Sequence, residues 1–173
     1  MKDWEVQFTE QEIQKQVKKL AKQISKDYEN KNLLAIGVLK GACVFFSDLI
    51  RHIEGSVNVD FIIASSHDEQ SSSGDLQIHH EPRETIKGRD ILLIDEIIDT
   101  GITLKLLKEH LEKSSPGSIK ICSLLDKKTN RQVAVETHYI GVEIPNKFVV
   151  GYGMDYEGRF RNWSDIVEFP PAQ

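Results

Sequence analysis

The sequence predicts an α/β fold, a mostly parallel twisted sheet flanked by helices on both faces. Three observations carry that expectation. Short apolar runs alternate with amphipathic runs of helical spacing, the order of a sheet wound with crossover helices. The apolar runs are continuous rather than alternating, as strands covered on both faces are. Several of these runs end in polar or charged residues, Lys40-Gly41, Asp95-Glu96 and Asp126-Lys127, at the strand ends where open α/β sheets hold their ligands.

The elements follow in order. Thr9-x-x-Glu12 is a capping-box signature. Ile13, Val17, Leu20, Ile24 and Tyr28 then recur at helical spacing and predict an amphipathic helix covering the sheet. Residues 33–39 form the first buried run. It ends in Lys40-Gly41-Ala42, ahead of a second helix with Val44, Phe45, Leu49 and Ile53 inward. Glycine at that strand end lets backbone approach a charged group closely, although a plain turn with a solvated lysine has the same sequence. Residues 57–64 read as another strand. The stretch 65–75 is polar and too long for a tight turn, so it is either an unstructured connection or a lid that excludes water. Residues 76–79 return as a strand, with His79 and His80 facing solvent.

The densest stretch runs from Arg89 to Leu104. Residues 91–94 are a buried strand, and the carboxylates Asp95, Glu96 and Asp99 follow it directly. Thr100-Gly101-Ile102-Thr103 is a small-residue turn. Leu104, Leu107 and Leu111 then continue at helical spacing. The free N–H groups of such a turn and of the first helical residues form an anion pocket suited to a monophosphate, and the hydroxyls of Thr100 and Thr103 add donors. The loop lacks the lysine and the length of a triphosphate cradle. Carboxylates would repel the phosphate, so they serve something beside it. Adjacent acids accept well from the vicinal hydroxyls of a ribose, directly or through a divalent metal, and Asp99 is placed to take a proton. Phosphate, diol and base together suggest a ribose-5-phosphate site. Acids that merely cap the helix are the plainer alternative.

Ser115-Pro116-Gly117 then breaks the chain. Residues 119–125 are a further strand ending in Asp126-Lys127-Lys128-Thr129, and 139–144 a short one ended by Pro145-Asn146. The last strong run is 148–153, opened by Phe148, which is either core or a surface for a ligand. The segment after it carries Asp155, Arg159 and Arg161.

At 173 residues the chain suits a single domain, 1–173, with a sizeable core. A net charge of -5 without a basic stripe argues against nucleic acid or anionic membrane as partner. The absence of an apolar leader or long apolar span points to the cytoplasm. Cys43 and Cys122 sit in apolar contexts and are expected as reduced core residues.

Four motifs together resemble the hypoxanthine-guanine phosphoribosyltransferases, the 6-oxopurine salvage branch of the type I phosphoribosyltransferase family. They are Val38-Leu-Lys-Gly41, Asp95-Glu96-x-x-Asp99-Thr-Gly-x-Thr103, Leu124-Leu-Asp-Lys127 and Phe148-Val-Val-Gly-Tyr-Gly-x-Asp155-Tyr, in the family's order across residues 33–161. The resemblance implies a small hood built from chain-terminal segments. It also implies transfer of the 5-phosphoribosyl group from phosphoribosyl pyrophosphate to N9 of hypoxanthine or guanine, with Mg2+ as cofactor. Xanthine preference is the nearest alternative, and an RNA-binding attenuator on the same scaffold is the alternative from another class.

By the same resemblance, Asp99, Thr100, Gly101, Ile102 and Thr103 bind the 5'-phosphate, and Asp95 and Glu96 hold the ribose hydroxyls. Asp99 is the general base or an acceptor at purine N7. Lys127 reaches the 6-oxo group, Phe148 stacks on the ring, and the backbone of Val149 reads its edge. Lys40, Gly41 and Arg161 bind pyrophosphate; Asp155, with Asp95 and Glu96, completes the metal set. The family forms dimers and tetramers, so a homodimer or homotetramer is implied, and the Leu39-Lys40 bond can be cis in this loop. Three departures stand out. The paired acids are usually Glu-Asp, Ala42 replaces a second glycine, and the mobile loop carries Ser66-His67 in place of Ser-Tyr.

Overall fold

The computed structural model describes residues 4–66 and 76–170. The expected capping box forms: the Thr9 hydroxyl accepts from the Glu12 N–H, and the Glu12 carboxylate accepts from the Thr9 N–H at 2.9 Å. It starts α1 (Glu10–Asp27), which buries Ile13, Val17, Leu20 and Ile24. After β1 (Val6–Phe8) and α1 come β2 (Leu33–Leu39), α2 (Cys43–Ile50), β3 (Asn58–Ser66) and β4 (Leu76–His80). The second half contains β5 (Asp90–Ile98), α3 (Ile102–Glu112), β6 (Ser118–Asp126), a 3-10 turn (Lys128–Asn130), β7 (Tyr139–Glu143), β8 (Val149–Val150) and β9 (Ile166–Glu168).

The central sheet has the order β4-β3-β2-β5-β6-β7. Every neighbour pair from β3 to β7 is parallel, and only β4 runs antiparallel at the edge. Side chains alternate between its faces. Leu34, Ile36, Ile91 and Leu93 pack with Leu104, Leu107 and Leu111 of α3. Leu33, Ala35, Leu92 and Ile94 pack on the other side with α1 and α2. Burial on both faces is why these strands read as unbroken apolar runs.

A second sheet, β1-β9-β8, is antiparallel and joins the two ends of the described chain. It matches the expected hood of chain-terminal segments. Trp4 packs edge-on against Phe160, Trp163 and Phe169, with ring centroids 5.1–5.2 Å apart. One expectation is corrected here. The run 148–153 is strand only at Val149–Val150, because Gly151, Tyr152 and Gly153 adopt φ of 95°, 49° and 100° and leave the extended region. Both cysteines are free; Cys122 is buried as expected, while Cys43 is only half-buried at the start of α2. Ala42 is fully buried, so the methyl that replaces a second glycine is accommodated. No helix among the described residues is long and apolar enough to cross a membrane.

Candidate active site

The parallel register builds the site. Ile98 of β5 lies opposite Asp126 of β6, and the Lys127 N–H donates to the Ile98 carbonyl at 2.9 Å. One residue further on, Asp99 and Lys127 therefore face each other. Lys127 Nζ donates to Asp99 Oδ2 at 2.9 Å. Lys127 is almost wholly buried, whereas the Asp99 side chain is 43% exposed, so the pair opens toward solvent on the acid's side. The other Asp99 oxygen, Oδ1, accepts from the Asn130 side-chain amide.

Beside this pair, Thr100–Thr103 turns into α3 around Gly101, whose φ of 85° is a conformation open to glycine at little cost. Gly101, the N-cap residue, has no side chain with which to cap this helix start. A hollow of about 120 Å³ lies here, lined by Asp95, Asp99, Thr100, Gly101 and Thr103 among others. Ile102 follows Gly101 as the first residue of α3, and its N–H points to the Thr100 hydroxyl at 3.4 Å. Behind the turn, the Gln132 N–H donates to the Thr100 carbonyl at 3.0 Å. Arg131 pairs with the buried Asp126 at 2.7 Å, and its Nη1 packs under Gly101.

Parallel pairing of β2 with β5 brings Lys40-Gly41 against Glu96. A Cβ at Gly41 would fall 1.8 Å from Glu96 Oε1, so the carboxylate occupies the space a side chain would need. The Leu39-Lys40 bond is cis, and the Lys40 side chain is exposed. Asp95 and Glu96 are each half-buried. Burial holds the Asp95 carboxyl well above the usual carboxylate range, with the Glu96 charge adding to the shift; burial pushes Glu96 up as well. Glu96 Oε2 is buried without a hydrogen-bond partner in the protein. Two acids that resist joint ionisation, one with an orphaned oxygen, suit a cation or hydroxyl donors.

At the far side, Arg161 donates to the Gly153 carbonyl at 2.5 Å and pairs with Asp155 at 2.6 Å. The second Asp155 oxygen accepts from the Gly158 N–H at 2.7 Å. Phe148 is 52% exposed, which excludes the reading of it as core. Tyr156 and Phe169 hold its ring edge-on at 6.0 and 5.7 Å, beside a cavity of about 410 Å³. Val149, next in the chain, is buried in β8.

The structure thus gathers Lys40, Gly41, Asp95, Glu96 and residues 99–103 with Lys127 along the carboxyl edge of one sheet, and it ties Arg161 to Asp155. The candidate lid, residues 65–75 with His67, lies outside the described residues beyond Ser66. Sequence reasoning missed Asn130, Asn146 and the Asp126–Arg131 pair. All are polar residues in or beside turns, and their meaning comes only from partners on other segments.

The family model of the phosphoribosyl transferase domain matches residues 6–157. The hypoxanthine-guanine phosphoribosyltransferase of Bacillus subtilis (strain 168) is 44% identical over 168 residues, 96% of this chain and 93% of that one. The protein of the same name from Streptococcus pyogenes serotype M3 (strain SSI-1) is 44% identical over 156 residues, 90% of this chain and 87% of that one. Among solved structures, a hypoxanthine phosphoribosyltransferase from Staphylococcus aureus aligns with a TM-score of 0.93 at 41% identity, covering 96% of this chain and 91% of that one. A mutant hypoxanthine phosphoribosyltransferase from Trypanosoma cruzi, in a ternary substrates complex, aligns with a TM-score of 0.91 at 35% identity, covering 98% and 96%.

Proposed function

This chain belongs to the phosphoribosyl transferase domain family, and from that premise we propose how its strand ends divide the work of purine salvage. The reaction transfers the 5-phosphoribosyl group from phosphoribosyl pyrophosphate to N9 of hypoxanthine or guanine and releases pyrophosphate. The relatives named for those two bases favour them over xanthine.

One observation carries the assignment of base chemistry: Lys127 Nζ and Asp99 Oδ2 stand side by side, 2.9 Å apart. A 6-oxopurine presents N7 and O6 side by side on one edge. Lys127 donates to O6 and Asp99 accepts the N7 proton, so donor meets acceptor at both positions. Drawing that proton off makes N9 nucleophilic. The exposed face of Phe148 stacks on the ring, and the backbone of Val149 reads its edge.

The sugar phosphate fills the other half of the cleft. Its 5'-phosphate occupies the hollow at residues 99–103, where the uncapped start of α3 supplies N–H groups and partial positive charge. Asp95 and Glu96 accept from the ribose hydroxyls. Lys40, the Gly41 backbone and Arg161 hold the departing pyrophosphate and stabilise the charge it gathers.

The donor set fits Mg2+ in the form it usually takes, one or two carboxylates with substrate phosphates and water completing the shell. Asp95, Glu96 and Asp155 are the residues that would hold it, with the orphaned Glu96 Oε2 foremost. When bound, the ion neutralises phosphate charge on the leaving group. Among the described residues no three metal-binding side chains lie together, so Asp95, Glu96 and Asp155 do not by themselves form a closed cage. The proposal extends to a single domain over residues 1–173, a homodimer or homotetramer, working in the cytoplasm on small-molecule substrates.

The test is pyrophosphate release from phosphoribosyl pyrophosphate with hypoxanthine, guanine, xanthine and adenine, each with and without Mg2+. Hypoxanthine and guanine are expected to turn over only with the ion. Comparable turnover of adenine would overturn the reading.

Gly41→Ala separates pyrophosphate-side binding from folding. The new methyl meets the end of a flexible side chain, so the fold tolerates it while the Glu96 carboxylate is displaced. The KM for phosphoribosyl pyrophosphate is expected to rise about tenfold, the equivalent of one lost charge-assisted hydrogen bond, with the melting temperature nearly unchanged. An unaltered KM would remove the Gly41–Glu96 contact from substrate binding.

A further inference from the structure

Among the described residues, Asn130 is the neutral partner of the Asp99 carboxylate. It closes the 3-10 turn Lys128–Asn130, directly after Lys127, and its side-chain amide donates to Asp99 Oδ1. Asn146 Nδ2 donates in turn to Asn130 Oδ1 at 3.2 Å. Chemistry fixes the orientation of this relay. A carboxylate only accepts, so the NH₂ of Asn130 must face Asp99, and its carbonyl oxygen is left for the NH₂ of Asn146. The turn is pinned on both sides: the Asn130 N–H donates to the Lys127 carbonyl at 2.9 Å, and the Gln132 N–H to the Thr100 carbonyl at 3.0 Å.

The two Asp99 oxygens are therefore not equivalent. Oδ2 is held by Lys127, a partner that changes sides when a 6-oxo group offers it a better-placed acceptor. Oδ1 is held by an amide that has no reason to leave. We propose that Asn130, oriented by Asn146, is a positioning residue that locks the Asp99 carboxylate so that Oδ2 alone is released to receive the purine proton. Without that lock the carboxylate rotates after the departing ammonium, and no oxygen is aimed at the base. Asn146 lies two residues before Phe148 and lines the same cavity, so the relay also ties the stacking wall to the base. This inference rests on Asp99 as the proton acceptor, the role given to it above.

The test uses the full chain. Asn130→Leu keeps the size and removes the donor without adding a charge. With hypoxanthine at saturating phosphoribosyl pyrophosphate and Mg2+, kcat is expected to fall about 10- to 100-fold, while the dissociation constant of phosphoribosyl pyrophosphate, measured without purine, moves less than about threefold. Asn146→Ala, which leaves the Asn130 donor in place but unoriented, should show the same split with a smaller loss. A purely structural role for the turn would weaken phosphoribosyl pyrophosphate binding in step with kcat, because the same segment supports Thr100. That outcome, or a kcat within twofold of the parent in Asn130→Leu, overturns the proposal. Independently of activity, the side-chain amide resonances of Asn130 in the free protein should move on Asp99→Asn; unmoved resonances mean there is no contact, and the proposal falls. Should the parent release no pyrophosphate with any purine, the catalytic reading of Asp99 is lost, and the amide resonances still decide whether the lock exists.

Discussion

Asp99→Asn is expected to bind phosphoribosyl pyrophosphate as the parent does and to lose about 10²- to 10⁴-fold in turnover, the usual range for removing a general base. The variant isolates the proton step because an amide has the carboxylate's shape and none of its basicity. It also changes the partners. Asp99 now accepts from both Lys127 and Asn130, and an amide offers one oxygen for two donors. One of them loses its acceptor. Because the Asp99 side chain is 43% exposed, the stability cost lies toward the lower end of the roughly 1.5–3 kcal/mol typical of hydrogen bonds to charged groups. Single-turnover rates beside phosphoribosyl pyrophosphate binding measure both effects. Turnover equal to that of the parent would take Asp99 out of the base role.

Lys127→Ala carries the second large effect, on choice of base rather than on rate alone. The ammonium sits nearly buried at a strand end with one job on its exposed side, donating to an acceptor. On the proposed reading, hypoxanthine supplies an oxygen there. Adenine supplies an amino group, and donor then faces donor where water cannot relieve it. Sites built around such a group discriminate by as much as about 10⁴–10⁵-fold. With alanine at 127, kcat/KM for hypoxanthine should drop about 10²-fold or more, and the gap to adenine should narrow by a similar factor. If adenine is still refused as firmly as by the parent, selectivity resides elsewhere in the cleft.

What the sequence made legible follows from how far each feature reaches along the chain. The strand, acids, glycine turn and helix from Asp90 to Glu112 are local, so their periods and residue types show them directly; only the strand end differs, because β5 runs on to Ile98 and carries Asp95 and Glu96 within it. The ends of β2 and β6 were visible for the same reason. Pairings between distant segments were not. Gly41 meets Glu96, and Asn130 meets Asp99, only because β2, β5 and β6 lie side by side in parallel register. Three-residue strands such as β1 and β9 are too short to show a period. Gly151 to Gly153 looked like strand because apolar character says nothing about the sign of φ.

The order of strands in the smaller sheet has a consequence for synthesis. β9, the last strand in chain order among the described residues, lies between β1, the first, and β8, whose neighbour Phe148 is the exposed ring proposed to stack on the purine. A nascent chain releases residues 95–104, which line the hollow at the start of α3, before it releases β9. Its purine wall stays unfastened until residues 166–168 have emerged and clasped the two edges together.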